Sequence, residues 1–268
     1  MDIFTLFVKT IFIRPYVFVF LAAFLFAAIR LIGWPSTWRF WLISWATAFV
    51  CEFSSTRTGI PFGWYHYTGS TVGQELYVSN IPFIDSLSFS FLLYASYCLA
   101  LAFFLPADGK PIAGPIALHF PPSVRRSWPT MALTTLFFAM IDMVIDPVAL
   151  RGDRWFLGKI YYYPDPGVHF GVPIANYVGW AIVGLISLSI YFPLDRRIAH
   201  LPASEGTSTT GRLLLGVGLY YCVLTFNLAV SFWIGEPLLG VTGLFIYMPV
   251  TVLLLLRLFG YLPAHAGH

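Results

Sequence analysis

Four acidic residues lie in or at the ends of long apolar stretches, where a carboxyl group can act as an acid or a base. They are Glu52, Asp85, Asp142 and Asp146. An ionised Asp at the centre of a membrane helix costs about 2.5–3.5 kcal/mol on insertion scales. We therefore expect this sequence either to use these groups in chemistry or to place them at a membrane interface.

The pair Asp142 and Asp146 has the spacing of two residues on one helix face, one turn apart. Pro147 follows at once, so Asp146 is expected near a kink or a helix end. Two neighbouring carboxyls in apolar surroundings resist double ionisation. One of them is then expected to keep its proton near neutral pH and to serve as a general acid. The alternative is that both pair with Arg151 or Arg154 across the helix end.

Each of the other two acids also has a structural alternative. Asp85 comes shortly after Pro82 at a predicted helix start, where an acidic side chain caps the helix and favours its dipole. Glu52 lies close to Arg57 along the chain and could form an ion pair at the membrane interface. Neither alternative excludes a catalytic role.

Further candidates for the site are polar and aromatic. Asn176 and Trp180, four residues apart, begin an apolar stretch on one face and could line a site with the acids. They could instead be a hydrogen-bonding residue between helices and an interfacial aromatic. Residues 54–82, which contain Trp64, Tyr65 and Tyr67, and residues 151–173 form two long aromatic loops. These loops either belong to an aromatic belt or fold over the helices and close an apolar cavity.

The elements that must position these residues are membrane helices. Apolar and aromatic residues make up 58% of the 268 residues and charged residues only 10%, against about 25% charged in a soluble domain. The composition predicts an all-α polytopic bundle forming a single membrane domain over residues 1–268. Because a span needs about 20 apolar residues, we predict about seven, with six to eight possible: Pro15–Ile32, Phe40–Thr56, Phe83–Leu105, Trp128–Leu150, Ile174–Pro193, Leu213–Gly235 and Leu238–Leu256.

The segment before the first span is predicted to be an interfacial lead-in rather than a signal peptide, since it carries Asp2 and Lys9 and lacks a small-residue cleavage site. Basic residues are more numerous in the loops on the side of the membrane where the C-terminus lies. This predicts that the C-terminus is cytoplasmic. The three cysteines, all within apolar stretches, are interpreted as small buried hydrophobes: Cys51, Cys98 and Cys222.

Several function classes are disfavoured. A net charge of +3 gives no basic surface for nucleic acid. Among the six histidines, His265 and His268 at the end of the chain form one HxxH pair and there is no HxxxH pair, so the several histidine clusters of iron-dependent membrane desaturases are missing. The segment Asp142–Asp146 is a DxxxD motif, but membrane prenyltransferases use two Asp-rich motifs and hold diphosphate through Mg²⁺. No Gly-rich phosphate loop is found, and we predict no metal and no cofactor.

Three blocks carry a resemblance to a known family. Gly59-Ile-Pro-Phe-Gly-Trp-Tyr-His-Tyr67 with the downstream Ile81-Pro82 forms the first, Asp142-Met-Val-Ile-Asp-Pro-Val-Ala149 the second, and Phe170-Gly-Val-Pro-Ile-Ala-Asn-Tyr-Val-Gly-Trp180 the third. Together they resemble the carotenoid-biosynthesis membrane proteins of the CruF type. These are carotenoid 1,2-hydratases that act on the acyclic ψ-ends of carotenes.

The resemblance implies addition of water to a terminal double bond through a tertiary carbocation, without cofactor or metal. Such a reaction needs a protonated acid in a dry site, aromatic rings to stabilise the cation and a polar group to hold water. We expect Asp142 or Asp146 to be the general acid, and its partner or Glu52 to orient or deprotonate the water. The remaining candidates are Asp85, near the acids, and the residues expected to line the pocket: Trp64, Tyr65, Tyr67, Asn176 and Trp180.

Two other functions remain open from the sequence. A lycopene-type cyclase would form the same cation and quench it by ring closure. A lipid- or pigment-binding membrane protein or a proton-coupled transporter is disfavoured, because no inverted repeat is visible. The expected partners are a carotenoid or other polyene lipid that enters laterally from the bilayer, membrane lipids, and other membrane enzymes of carotenoid biosynthesis. The expected location is the cell membrane.

Overall fold

The computed structural model describes residues 2–105, 107–108, 117–118, 120–195 and 206–259. Most of these residues are helical. The helices are α1 (Ile3–Ile13), α2 (Pro15–Ile32), α3 (Trp34–Thr58), α4 (Phe83–Phe104), α5 (Pro122–Arg125), α6 (Trp128–Ala149), α7 (Ile174–Leu194), α8 (Gly206–Trp233) and α9 (Pro237–Leu258), with a 3₁₀ turn at Gly152–Arg154.

Short strands lie in the connections. They form two-stranded antiparallel sheets, in which β1 pairs with β6, β2 with β3 and β4 with β5. Their bounds are β1 (His66–Tyr67), β2 (Tyr77–Val78), β3 (Ile81–Pro82), β4 (Ala107–Asp108), β5 (Ala117–Leu118) and β6 (Tyr161–Tyr162).

Six of the described helices are long and apolar enough to cross a membrane: α2, α4, α6, α7, α8 from Thr209, and α9. The remaining predicted span, Phe40–Thr56, lies within α3, which has 25 residues but is more polar than the other six helices. Its polar side chains are tolerated because several of them are buried in the bundle, among them Ser44, Glu52 and Ser55. The structure is therefore the predicted polytopic helical membrane bundle.

The centre of the bundle is α4. Every residue from Phe89 to Ala102 is buried, and the helix packs against α2, α3, α6, α8 and α9. Glycine permits one of these approaches, because a Cβ at Gly216 of α8 would lie 2.3 Å from Sγ of Cys98. A helix that is buried on all sides needs apolar residues all round, and α4 has them.

Residues 59–82 and 150–173, here called the first and second cover loops, meet at one end of the bundle. The pairing of β1 with β6 joins them, with His66 opposite Tyr162 and Tyr67 opposite Tyr161. Each loop is thereby tied to the other rather than lying separately along the membrane surface. Of the two arrangements that the sequence allowed, the described residues show the folded cover.

Arg14, at the junction of α1 and α2, fastens both cover loops to the bundle. Its guanidinium pairs with the Glu75 carboxylate, with Nη2 3.0 Å from Oε1 and Nε 3.2 Å from Oε2. It also donates to the Leu157 carbonyl in the second loop. Both charged side chains are almost fully buried, so this ion pair depends on its partners being in place.

One expectation from the sequence is wrong, and another stays a prediction. Cys51 and Cys98 are buried, but Cys222 is exposed, because it lies on the outward face of α8 rather than in the bundle. The basic residues that we used for the membrane orientation include Lys110, Arg196 and Arg197, which lie outside the described residues.

Candidate active site

A cavity of about 150 Å³ lies beneath the cover loops. It is lined from α2, α3, α4, α6, α7, α8 and both loops, and all four acids contribute to its wall. Each acid lies in the half of its helix that is nearer to the loops, so the cavity is at the end of the bundle that carries the cover loops. Its aromatic walls include Tyr16, Phe20, Phe62, Tyr65, Tyr67, Phe89, Phe91, Trp155, Tyr161, Tyr163, Trp180 and Phe226.

One amide joins the two aspartates of α6. Nδ2 of Asn176 lies 2.5 Å from Oδ2 of Asp142 and 3.0 Å from Oδ2 of Asp146. Asn176 is in the first turn of α7, and α6 and α7 pack closely. The four-residue spacing thus places both carboxyls on the same face, as predicted, and the amide holds them together.

The two aspartates differ in their other contacts. Asp146 accepts hydrogen bonds from the Tyr161 hydroxyl at Oδ1 and from the Tyr163 hydroxyl, 2.7 Å away, at Oδ2. Oδ1 of Asp142 is buried and has no hydrogen-bond partner among the described residues. Donors therefore converge on Asp146, whereas one oxygen of Asp142 accepts no hydrogen bond from the described residues.

The tyrosines around Asp146 stay protonated over a wide pH range. Burial raises the pKa of both Tyr161 and Tyr163 well above the ordinary value, and the negative charge of Asp146 raises it further. A neutral phenol is a hydrogen-bond donor, so both hydroxyls remain available to the carboxylate.

A second acidic centre lies on another wall of the same cavity. The Ser86 hydroxyl donates to Oε2 of Glu52, and the Tyr67 hydroxyl lies 3.3 Å from Oε1. The carboxyl of Asp85 also lies close to the Tyr67 hydroxyl. Tyr67 thus connects the two acids, and it comes from the first cover loop while they come from α3 and α4.

An apolar wall lies beside these acids. The indole of Trp180 stacks on Phe89 with ring centres 4.2 Å apart and packs against Phe138 at 4.7 Å. The next residue toward the start of α7, Gly179, lets Phe62 of the first cover loop approach, since a Cβ there would lie 2.3 Å from a ring carbon of Phe62. The cavity is therefore closed by an aromatic side chain that only a glycine can accommodate.

The predicted site residues are placed as follows. Eight line the cavity together: Glu52, Asp85, Asp142, Asp146, Tyr65, Tyr67, Asn176 and Trp180. Trp64 does not join them. Its side chain is 51% exposed and packs near Gly59 and His66 on the outside of the first cover loop.

The arginines that were considered as ion-pair partners of these acids contact other groups instead. Arg57 donates to the Phe53 carbonyl and to Ser79 rather than pairing with Glu52. Arg151 and Arg154 both pair with Glu236, not with the aspartates of α6. The cap of α4 is Pro82, which forms no side-chain hydrogen bond, so Asp85 does not act as the capping residue. Asp85 does lie in the first turn of α4, where an acidic side chain favours the helix dipole.

Ser86, Tyr161 and Tyr163, which contact the acids of the site, are among its polar residues that were not predicted. The two tyrosines alternate along an extended segment, which places both side chains on one face. That spacing was a usable signal, although nothing local says that the face meets Asp146. Within the described ranges, no three His, Cys, Asp or Glu side chains come together to form a metal site.

Comparison with known proteins gives two matches. The sequence profile of a family described as "carotenoid biosynthesis protein" matches residues 12–250. A bisanhydrobacterioruberin hydratase of Haloarcula japonica is 30% identical over 146 residues, which are 54% of this chain and 41% of the relative. The match thus spans less than half of that relative's length, and no solved structure matches. The family resemblance is confirmed: this chain, an integral membrane protein, belongs to the carotenoid biosynthesis protein family.

Proposed function

We propose that this protein is a hydratase that adds water across the terminal double bond of an acyclic carotene end. The observation that carries the proposal is the free oxygen of Asp142, buried in an aromatic cavity beside a second carboxylate. The carotenoid hydratase with 30% identity supports the same reaction class.

The first step is proton transfer from Asp142. Its Oδ2 accepts from Asn176, so the proton is carried on Oδ1, which has no other partner among the described residues. The proton adds to the less substituted carbon of the terminal double bond. The π electrons form the new C–H bond, leaving a tertiary cation on the neighbouring carbon and a carboxylate on Asp142.

The cation is stabilised by its surroundings. Aromatic faces attract a cation placed against them, by about 2 kcal/mol or more when water is excluded. Trp180, Phe89 and Tyr65 supply such faces in the cavity wall. The carboxylate of Asp146, held by two tyrosines, adds a fixed negative charge close to the reacting carbons.

The second step is capture by water at the other acidic centre. Glu52 and Asp85, connected through Tyr67, hold a water molecule and accept one of its protons as its oxygen bonds to the cation. The product is a tertiary alcohol. One proton then returns to Asp142, so the cycle consumes only water and alkene and needs no cofactor.

The test is expression in a host that accumulates an acyclic carotene. We expect a pigment heavier by one water with the wild-type protein, and loss of that pigment with Asp142→Asn. Asp153→Asn is the matched control, since Asp153 is exposed in the 3₁₀ turn away from the cavity. Protein amounts are compared by immunoblot, so that loss of activity is separated from loss of protein.

Two results would contradict the proposal. A product of unchanged mass with cyclic ends would show that ring closure rather than water quenches the cation. Undiminished hydration by Asp142→Asn would remove Asp142 as the proton donor.

A further inference from the structure

The cavity has one wall that faces the lipid, formed by α2 and α8. Tyr16 and Phe20 come from α2, and Phe226 and Asn227 from α8. Both helices are candidate membrane spans. A substrate dissolved in the bilayer meets this wall before any other part of the site.

Ring packing closes this wall. Phe226 stacks on Tyr16 with centroids 5.4 Å apart and planes 16° from parallel, and it meets Phe20 edge-on at 5.7 Å. Neither Phe20 nor Phe226 is fully buried. An aromatic ring that stacks on another ring can instead stack on the flat chain of a conjugated polyene.

A groove continues from this wall onto the outer face of α8. Phe20 and Phe226 line both the cavity and the groove, which is otherwise lined by Gly218, Tyr221, Cys222, Thr225 and Ala229. Gly218 and Ala229 are separated by 11 residues of helix, about 16 Å along its axis. The groove therefore runs from the level of the cavity toward the interior of the bilayer.

The cavity and the groove together fit a long substrate with a reactive end. The cavity has a volume of about 150 Å³, and an apolar cavity of about that size admits a benzene-sized group. It takes the terminal isoprene unit of an acyclic carotene and leaves the remaining chain outside. We propose that the groove along α8 is a binding site for the conjugated chain of the substrate, which enters between α2 and α8 past Phe20 and Phe226.

This inference rests on the proposed function for its choice of ligand, and it adds a second site to it. The occupant is a polyene rather than a second copy of this chain because the groove is continuous with the reaction cavity. It also predicts that only one end of a symmetrical carotene reacts per binding event, since the chain lies along α8 while its end is inside.

The test fills the groove without touching the acids. A Cβ added at Gly218 would have no heavy atom within 4 Å, so Gly218→Trp projects an indole into the groove. Gly211→Trp is the matched control, since it has the same open surroundings on the same helix, about 10 Å away along the axis and outside the groove.

Two readouts are taken for each variant. The first is hydration of a full-length acyclic carotene compared with a short acyclic isoprenoid that has the same terminal double bond. For Gly218→Trp we expect kcat/KM to fall about tenfold or more on the carotene and to stay within about twofold on the short substrate. Gly211→Trp leaves both values unchanged. The second readout is the carotene retained per protein after purification from a carotene-producing host, which does not depend on catalysis.

The outcomes separate the groove from the reaction. Retained carotene that falls in Gly218→Trp but not in Gly211→Trp supports the groove even if no hydration is found, in which case only the proposed function fails. Equal loss of activity on both substrates, or retention of carotene at the wild-type level in Gly218→Trp, overturns the groove.

Discussion

Asn176 donates to Asp142 across a distance of 2.5 Å between Nδ2 and Oδ2, while the other oxygen of Asp142, Oδ1, is buried without a hydrogen-bond partner among the described residues. The amide thereby decides which oxygen can carry a transferable proton. It also shares its donor nitrogen with Asp146, so one side chain from α7 organises both acids of α6.

Replacing Asn176 by Leu tests this organisation. The substitution keeps the volume similar but removes the donor, which leaves two buried carboxyls without their bridge and costs about 1–3 kcal/mol of folding free energy. We expect hydration to fall about 100-fold or more, since general acid catalysis contributes about 10²–10⁴. Turnover per folded protein and the Tm are measured together. A variant with wild-type turnover would show that the bridge has no role in the reaction.

The tyrosines of the second cover loop can be tested one at a time. Tyr161→Phe and Tyr163→Phe each remove a hydroxyl that donates to Asp146, and a hydrogen bond to a charged group contributes about 1.5–3 kcal/mol. We expect each variant to lose about tenfold or more in kcat. Tyr162→Phe is the control, because Tyr162 lies between them on the exposed face of β6. Equal effects of all three substitutions would contradict a role in holding Asp146.

Glu52→Gln separates formation of the cation from its capture. The amide keeps a hydrogen-bonding side chain beside Ser86 and Tyr67 but cannot accept a proton from water. We expect less hydrated product and a larger share of isomerised or cyclised carotene of unchanged mass. The pigments are separated by chromatography and identified by mass. A proportional loss of all products would instead place Glu52 in the first step.

The packing of Phe62 on α7 gives a prediction about stability. Gly179→Ala introduces a Cβ that would lie 2.3 Å from a ring carbon of Phe62 and 2.9 Å from its Cα, and such overpacking costs about 1–3 kcal/mol. We expect a lower Tm and a cover that is easier to cleave with protease. Gly211→Ala, where the added Cβ meets open space, keeps the wild-type Tm. An unchanged Tm in Gly179→Ala would mean that the cover adapts without loss.

The tyrosines of the cover loops also predict a dependence on pH. Burial raises the pKa of Tyr65, Tyr67, Tyr161 and Tyr163 above the ordinary value, which is about 10. The folded state therefore holds these protons more tightly than the unfolded state. The stability they contribute is fully present below about pH 10 and is lost as pH rises through the folded-state values. The Tm of Tyr161→Phe combined with Tyr163→Phe should fall less above pH 10 than that of the wild type.

Periodicity and composition predicted the spans because membrane helices must satisfy their backbone internally and be apolar over a set length. The shared face of Asp142 and Asp146 followed from helical spacing alone. The same spacing rule set Asn176 and Trp180 on one face, but it did not place them with the acids, which was one of two alternatives. These predictions need only local geometry.

Contacts between segments that are far apart along the chain could not be predicted from the sequence. Tyr161 meets Asp146 because β6 pairs with β1, and a two-residue strand carries no periodic pattern that identifies its partner. Trp64 was expected in the pocket with Tyr65 and Tyr67, but alternation along an extended chain turns neighbouring side chains to opposite sides. The ion pairs of Arg151 and Arg154 with Glu236 likewise join segments far apart in sequence.

The position of Arg14 has a consequence for how the protein matures. This residue is made with the first span, but one of its partners, the Leu157 carbonyl, follows four later helices of the bundle. A nascent chain therefore carries an early cation whose full set of ligands arrives only after most of the bilayer insertion is complete. Shielding of the reaction chamber from bulk water is thus a late event of biogenesis, and truncated chains that end before residue 157 lack it.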